Sequence, residues 1–385
     1  MTHCRTKACA VCASIGMLLA GSSEAGPMFM GLGDLPGSYY WSVATDISAD
    51  GSVVIGTSQS GDDMFTYEAF RWTEATGMVG LGGLPNSDVS SLAYGISGDG
   101  STVVGESIVG NGYEFLRSEG VHWTGDNPAQ GFGVLPDHTY LNTANDLSYD
   151  GSIIVGNTDT YEGSEAYYWT ESDGFQRMGF LPGHRHSSRA HGVSSDGSVI
   201  VGGGDSFNGI EAFRWTKSTG FQLLGDLPGG HFISGANDVS DDGSIVIGIA
   251  ESEQGKEAFR WTETNGMIGL GDLPGGDFFS VASAISSDGS VIIGDSRTSI
   301  GGEAFIWTEP NGMRRLIDVL TLDYGLDLDG WTLEVAYGLS ADGTTIVGAG
   351  INPNGDFEAF IARVPSPGAV ILFGLGGFAA LRRRR

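Results

Sequence analysis

Four histidines fall at one place in a recurring frame. His138, His184, His186 and His231 each follow a Leu-Pro pair by a few residues, with Arg185, Arg189 and His191 close by. Imidazoles and guanidiniums gathered on loops would make a basic patch for a sugar acid, a sulfate or a metal ion. Their spacing matches no metal template, and solvated loop histidines need no ligand at all. A second set is Asp46, Asp146 and Asp238, which hold equivalent positions in alternate repeats. Such carboxylates would either face a channel and hold a cation such as Ca²⁺, or cap nearby turns. Asp323, Asp327 and Asp329-Gly330 approach a Ca²⁺-binding loop, but Leu328 stands where that loop needs Gly. The glycines of Gly31–Gly37 carry one residue too many for a dinucleotide fingerprint and open no helix. No Gly-x-Ser-x-Gly occurs, and the three cysteines (Cys4, Cys9, Cys12) crowd the extreme N-terminus. No spacing assembles a nucleophile, a base and its orienter. A non-catalytic protein is expected, with no cofactor beyond that Ca²⁺.

The elements that must position these residues come from a repeat. Ser286-Ser287-Asp288-Gly289-Ser290-Val291-Ile292-Ile293-Gly294 has close copies at Ser48–Gly56, Ser97–Gly105, Ser148–Gly156, Ser194–Gly202, Ser240–Gly248 and Ser340–Gly348. Asp-Gly between two β-prone runs signals a hairpin, because Gly accepts the positive φ of the reversal. The Asp-Gly spacings are 49, 51, 46, 46, 46 and 54 residues. Trp-Thr recurs with Trp72, Trp123, Trp169, Trp215, Trp261 and Trp307, and Leu-Pro with Pro36, Pro85, Pro136, Pro182, Pro228 and Pro274. Each of those prolines lies 14 residues before the next repeat Asp, so the variation sits between Asp-Gly and Trp.

Each repeat holds four β-prone runs, a to d. In the sixth copy these are Phe279–Ser286, Ser290–Ser296, Glu303–Thr308 and Gly312–Leu320. Four strands in 40–50 residues predict a β-propeller blade. The chain starts on a d run at Met28–Leu35 and ends on a c run at Glu358–Arg363. The expected fold is therefore an all-β, seven-bladed β-propeller, with four antiparallel strands per blade. Its last blade is closed by the N-terminal strand, since an open ring would leave two bare sheet edges. Small residues belong near the axis: Ala44, Ala93, Ala144, Ala190, Ala236, Ala282 and Ala336 on strand a, and the terminal Gly of each strand b. The tryptophans belong farther out as packing wedges. In such a meander the d-to-a and b-to-c loops share one rim.

Residues 1–25 read as a signal peptide, with Arg5 and Lys7, the apolar Ile15–Ala20 and a cut after Ala25. A lipoprotein anchor would need a Cys after the apolar stretch, and all three precede it or open it. Residues 26–363 form the propeller, and 364–385 carry Pro365-Ser366-Pro367, an apolar stretch 369–381 and Arg382, Arg383, Arg384 and Arg385. Thirteen apolar residues fall short of the roughly 20 needed to span a bilayer. With the basic latch they suit transient inner-membrane retention before cleavage. Formal charge is −28. Removing Arg5, Lys7, Glu24 and the four tail arginines from 19 basic and 47 acidic residues leaves 13 and 46. Such a surface excludes a nucleic-acid partner.

Glu257–Gly294 and Glu211–Gly248 carry Glu-Ala-Phe-x-Trp-Thr, Gly-Asp-Leu-Pro-Gly-Gly and Ser-x-Asp-Gly-Ser in order. This pattern resembles the HAF repeat of extracellular bacterial proteins, over about residues 29–363. The seventh copy departs from it, with Ala362 in the Trp position and extra residues around Thr321–Gly330. The tail is similar to the PEP-CTERM sorting signal processed by an exosortase in Gram-negative bacteria, with Ser366 in place of its Glu. These resemblances imply an exported, extracellular or cell-surface protein and a sorting enzyme as a partner. The expected function is a surface or matrix propeller that binds a polymer, exopolysaccharide above all, or a surface protein through its variable-loop rim. The alternative is a propeller-fold hydrolase or lyase acting on extracellular polysaccharide.

Overall fold

The computed structural model describes residues 26–61, 66–85, 90–109, 117–133 and 138–365. The signal-peptide reading of 1–25 and the sorting residues Ser366, Pro367 and Arg382–Arg385 lie outside them.

The described chain is almost wholly β. Each repeat Asp-Gly makes the expected reversal: Gly51, Gly100, Gly151, Gly197, Gly243, Gly289 and Gly343 all have φ between 69° and 74°. The Ser and Asp of the motif staple the turn. In the sixth copy Ser286 Oγ donates to Asp288 Oδ1 at 2.9 Å, and the same oxygen accepts the Ser290 amide. The Val291 amide donates back to Ser286 Oγ at 3.0 Å. Ser286 is 1% exposed, so its hydroxyl serves the turn and not solvent.

Antiparallel units of four strands follow, each in the order a-b-c-d. They run Ser42–Ile47, Val53–Gln59, Tyr67–Thr73 and Gly77–Gly80, through Ser280–Ile285, Val291–Thr298, Gly301–Thr308 and Gly312–Arg315. In the last unit Thr332–Leu339, Thr345–Ile351 and Phe357–Arg363 supply three strands, and Met28–Gly33 supplies the fourth by pairing with Phe357–Arg363. Consecutive units meet through parallel bridges from strand c to the next strand a, such as Gly163 with His186 and Ile210 with Ile233. The same bridge joins Phe357 of the last unit to Trp41 ahead of the first.

The core lies between units. Leu32, Ile47, Val54, Phe70 and Trp72 share one apolar cluster with Val347, Ala359 and Ile361. The strand-c aromatics Phe70, Tyr167, Phe213, Phe259, Phe305 and Phe360 are fully buried, with Trp261 at 6% exposure. A buried hydroxyl of strand a crosses each joint where it is present: Ser188 Oγ accepts the Ala166 amide, Ser234 the Ala212 amide and Ser42 the Ala359 amide, at 2.9–3.0 Å.

One expected element differs. The run Gly312–Leu320 stops being strand at Arg315; Leu316–Asp318 form a helical turn and Val319–Asp323 a π-turn. Leu316 and Leu320 are fully buried there, which holds the turn against the core.

Candidate functional site

Every strand a carries an irregularity at one position. Its register against strand b slips between Ala44 and Asp46, Ala93 and Gly95, Ala144 and Asp146, Ala190 and Gly192, Ala236 and Asp238, Ala282 and Ala284, and Ala336 and Gly338. These are β-bulges, which re-aim the extra side chain. The strand-b Gly makes room for them. A Cβ on Gly202 would lie 1.9 Å from the Arg189 carbonyl oxygen, and one on Gly294 would lie 1.9 Å from that of Val281. No side chain fits between the strands at that point.

The bulged residues are Thr45, Tyr94, Asn145, His191, Asn237, Ser283 and Tyr337, and all of them line one central cavity of about 640 Å³. Each is polar or carries a polar tip, and each lies between an Ala and either an Asp (Asp46, Asp146, Asp238) or a Gly or Ala. Four tie one unit to the next: Thr45 Oγ1 to the Ala93 carbonyl, Asn145 Nδ2 to Ala190, His191 Nδ1 to Ala236 and Asn237 Nδ2 to Ala282, at 2.7–2.8 Å. Tyr94 donates to Glu106 at 2.6 Å. Burial, with the Glu106 charge second, holds the Tyr94 hydroxyl protonated. A side recess of about 460 Å³ shares Asn145 and His191 and adds Glu106, Asn157, Asp159 and Arg189. Burial lowers the His191 pKa, so its ring is neutral at pH 7.

Asp46, Asp146 and Asp238 line both this cavity and a smaller one of about 130 Å³ on the Asp-Gly side, so they form the floor between the two. Each carboxylate takes one amide from its own strand and one from the strand a of the next unit. Asp46 accepts Ile47 and Ile96, Asp146 accepts Leu147 and Val193, and Asp238 accepts Val239 and Ile285, at 2.7–3.0 Å. Burial pushes Asp46 up to about 7 and Asp238 up to about 6. Asp146 is raised well above the carboxylate range by burial and then by the charges of Asp238 and Asp46. These carboxylates thus join strand a of one unit to that of the next, and among the described residues no group of three or more His, Cys, Asp or Glu is arranged to hold a metal ion.

The expected rim histidines each have their own neighbours. His184 and Arg185 donate their backbone amides to Asp205 Oδ2, and the His184 ring stands edge-on to Phe207. His186 stacks on Phe180 and faces Glu162 at 3.8 Å. His231 pairs with Glu251 at 2.8 Å, and that carboxylate raises its pKa. His138 opens strand 138–147. An acidic group therefore stands beside His184–Arg185, His186 and His231 alike, which removes the net positive charge of the patch. Arg189 points elsewhere, into the side recess. Asp323 pairs with Arg314 at 2.6 Å and Asp327 accepts the Asp329 amide, so those carboxylates serve the insert before the last unit.

Sequence reasoning missed the bulged ring. Its signal was present: the residue after each strand-a Ala varies, yet stays polar in all seven copies.

No protein-family model and no curated protein matches the chain. Among solved structures it is similar to oligogalacturonate lyase from Vibrio parahaemolyticus, with a TM-score of 0.52 and 10% identity over 89% of this chain and 98% of that one. It is also similar to TolB from Acinetobacter baumannii (TM-score 0.46, 14% identity over 71% of this chain) and spans 62% of that protein's length. A protein from Agrobacterium tumefaciens described as TolB gives a TM-score of 0.44 and 18% identity over 71% of this chain and 90% of that one. A likeness at such identity speaks to the fold alone, and the fold is an all-β propeller.

Proposed function

We propose that the chain is an exported, seven-bladed propeller that holds a polyhydroxylated ligand, of the surface-polysaccharide class, in its central cavity without transforming it. The seven-blade reading rests on the strand pairing of Met28–Gly33 with Phe357–Arg363. Amide bonds at the residue before the repeat Asp, at six of the seven joints, support closure. Ala49 donates to Gly98, Gly98 to Tyr149, Tyr149 to Ser195, Asp241 to Ser287, Ser287 to Ala341 and Ala341 back to Ala49, at 2.9–3.3 Å. Export and sorting rest on residues 1–25 and 364–385 as read from the sequence, with an exosortase-type enzyme acting at the tail.

The observation that carries the binding reading is the bulged ring itself. Seven sites spend a backbone irregularity and an obligatory Gly to bring polar side chains to one place. Hydroxyl, amide, imidazole and phenol groups over a concave surface suit a sugar, whose hydroxyls need partners in many directions and whose ring face packs on aromatic planes. The ligand enters from the half of strand a nearer the d-to-a loops, where Thr143, Arg189 and Val281 lie. The binding place thus moves from the loop histidines to the centre. A glycan array probed with the secreted chain should retain at least one polysaccharide, and the eluted glycan should keep its length. Retention of none would end the binding reading. Shortened or unsaturated glycan would replace it with the hydrolase or lyase reading, for which the Tyr94–Glu106 pair offers an acid and a base.

A further inference from the structure

The charge of the central cavity is lopsided. Asp295 stands on its wall and the buried Asp46, Asp146 and Asp238 in its floor, beside a neutral His191, while the adjoining recess holds Glu106 and Asp159 with Arg189. Most of these groups are already engaged. Glu106 receives the Tyr94 and Ser118 hydroxyls, and the floor carboxylates cap amides. Asp295 differs. It follows the strand-b Gly294, opposite Val281 and beside the bulge, and among the described residues its carboxylate receives no hydrogen bond. Its nearest cationic influence is Arg297, whose guanidinium lies 4.4 Å over the Phe279 ring instead of on the carboxylate. Tyr337 sits on the same wall, near enough that the Asp295 charge acts on its hydroxyl. The corresponding residues of other repeats are Thr57, Asn157, Gly203, Ile249 and Ala349, apart from the engaged Glu106, so this free carboxylate is a local feature and not part of the repeat.

We infer that the cavity selects a saccharide bearing a protonated amine, received by the Asp295 carboxylate with Tyr337 and Phe279 beside the sugar ring. The inference rests on the reading of the cavity as a saccharide site and names its ligand class. A half-buried carboxylate without a donor is costly, and an ammonium donor restores its hydrogen bonds in a low-dielectric setting. A uronate would instead bring a second carboxylate against Asp295, which has no donor to offer it.

Isothermal titration of the secreted chain at low ionic strength should use three probes: a glucosamine tetramer, an N-acetylglucosamine tetramer and a galacturonate tetramer. The glucosamine tetramer should bind at least about tenfold tighter than its acetylated form, and galacturonate weakest. Asp295→Asn, checked for unchanged melting, should abolish the preference and leave the N-acetylglucosamine affinity as it was. Glu106→Gln should shift it less, because Glu106 already has two donors. General attraction of a cation to an acidic protein would survive Asp295→Asn, so a surviving preference overturns the inference. Equal or tighter binding of the acetylated or galacturonate probe overturns it while leaving the saccharide reading intact. No binding of any probe overturns the inference, and only retention of no glycan by the array overturns the saccharide reading with it.

Discussion

Asp46, Asp146 and Asp238 hold their charge at a cost. Burial places their native pKa above the unfolded value near 3.8, at about 7 for Asp46 and about 6 for Asp238. A raised native pKa means that the folded state binds more protons than the unfolded one between those values, so stability falls as pH rises through that window. These three groups stabilise the fold most below about pH 4 and withdraw that contribution as pH rises to about 7. Asp46→Asn/Asp146→Asn/Asp238→Asn should flatten that slope, as thermal melts across pH would record. A pH profile that the triple substitution leaves unchanged would contradict the assignment. The glycine opposite the bulge is a second single-residue test. Gly202→Ala puts a Cβ 1.9 Å from a carbonyl oxygen that has no space to retreat, and should cost about 3 kcal/mol or more by denaturant titration. At this scale the sequence was only partly legible. Ala-x and the strand-b Gly were visible as small residues near the axis. Their joint consequence, a bulge, depends on a register that two separated segments settle only when paired.

Within each unit, a strand-c Glu reaches over strand d. Glu68, Glu119, Glu165, Glu257 and Glu358 accept the amides of Gly82, Gly133, Gly179, Gly271 and Gly33 at 2.9–3.0 Å. The repeat Glu is thus a strand fastener, not a site of chemistry. Beneath it lies either Gly, as at Gly80 and Gly269, or an Arg that pairs with it, as Arg177 with Glu165 and Arg315 with Glu303. The fourth unit breaks the rule. Leu223 occupies that position, and the buried Glu211 Oε2 has no hydrogen-bond partner among the described residues. Leu223→Arg should raise stability by about 1 kcal/mol, whereas Arg177→Leu should lower it by about 1–2 kcal/mol, Arg177 being partly exposed. Equal and opposite signs to these in denaturant midpoints would show that packing of Leu223 outweighs the orphaned oxygen. The strands, turns and tryptophan wedges could be read from the sequence because Asp-Gly and Trp-Thr report local geometry. The helical turn at Leu316–Asp318 could not, since its apolar residues fit a strand pattern equally well.

Across the whole molecule, the first strand pairs with the last and the core is distributed over the joints between units. Trp261 lies in the apolar cluster between the fourth and fifth units, and Trp261→Ala should cost about 3–5 kcal/mol. Deleting residues 26–33 should bare the edge of Phe357–Arg363 and lower melting by roughly 10 °C or more; an unchanged melt would separate the two ends energetically. Such a scaffold leaves the centre as the place where variable polar residues meet, and the rim as a set of neutralised pairs. The most direct test of that claim is an alanine scan of Thr45, Asn145, His191, Asn237 and Tyr337 beside His184, His186 and His231, read as affinity for whichever glycan the array retains. The account predicts at least about tenfold losses among the bulged residues with the three rim histidines silent. Losses confined to the rim, with the bulged ring silent, would contradict it.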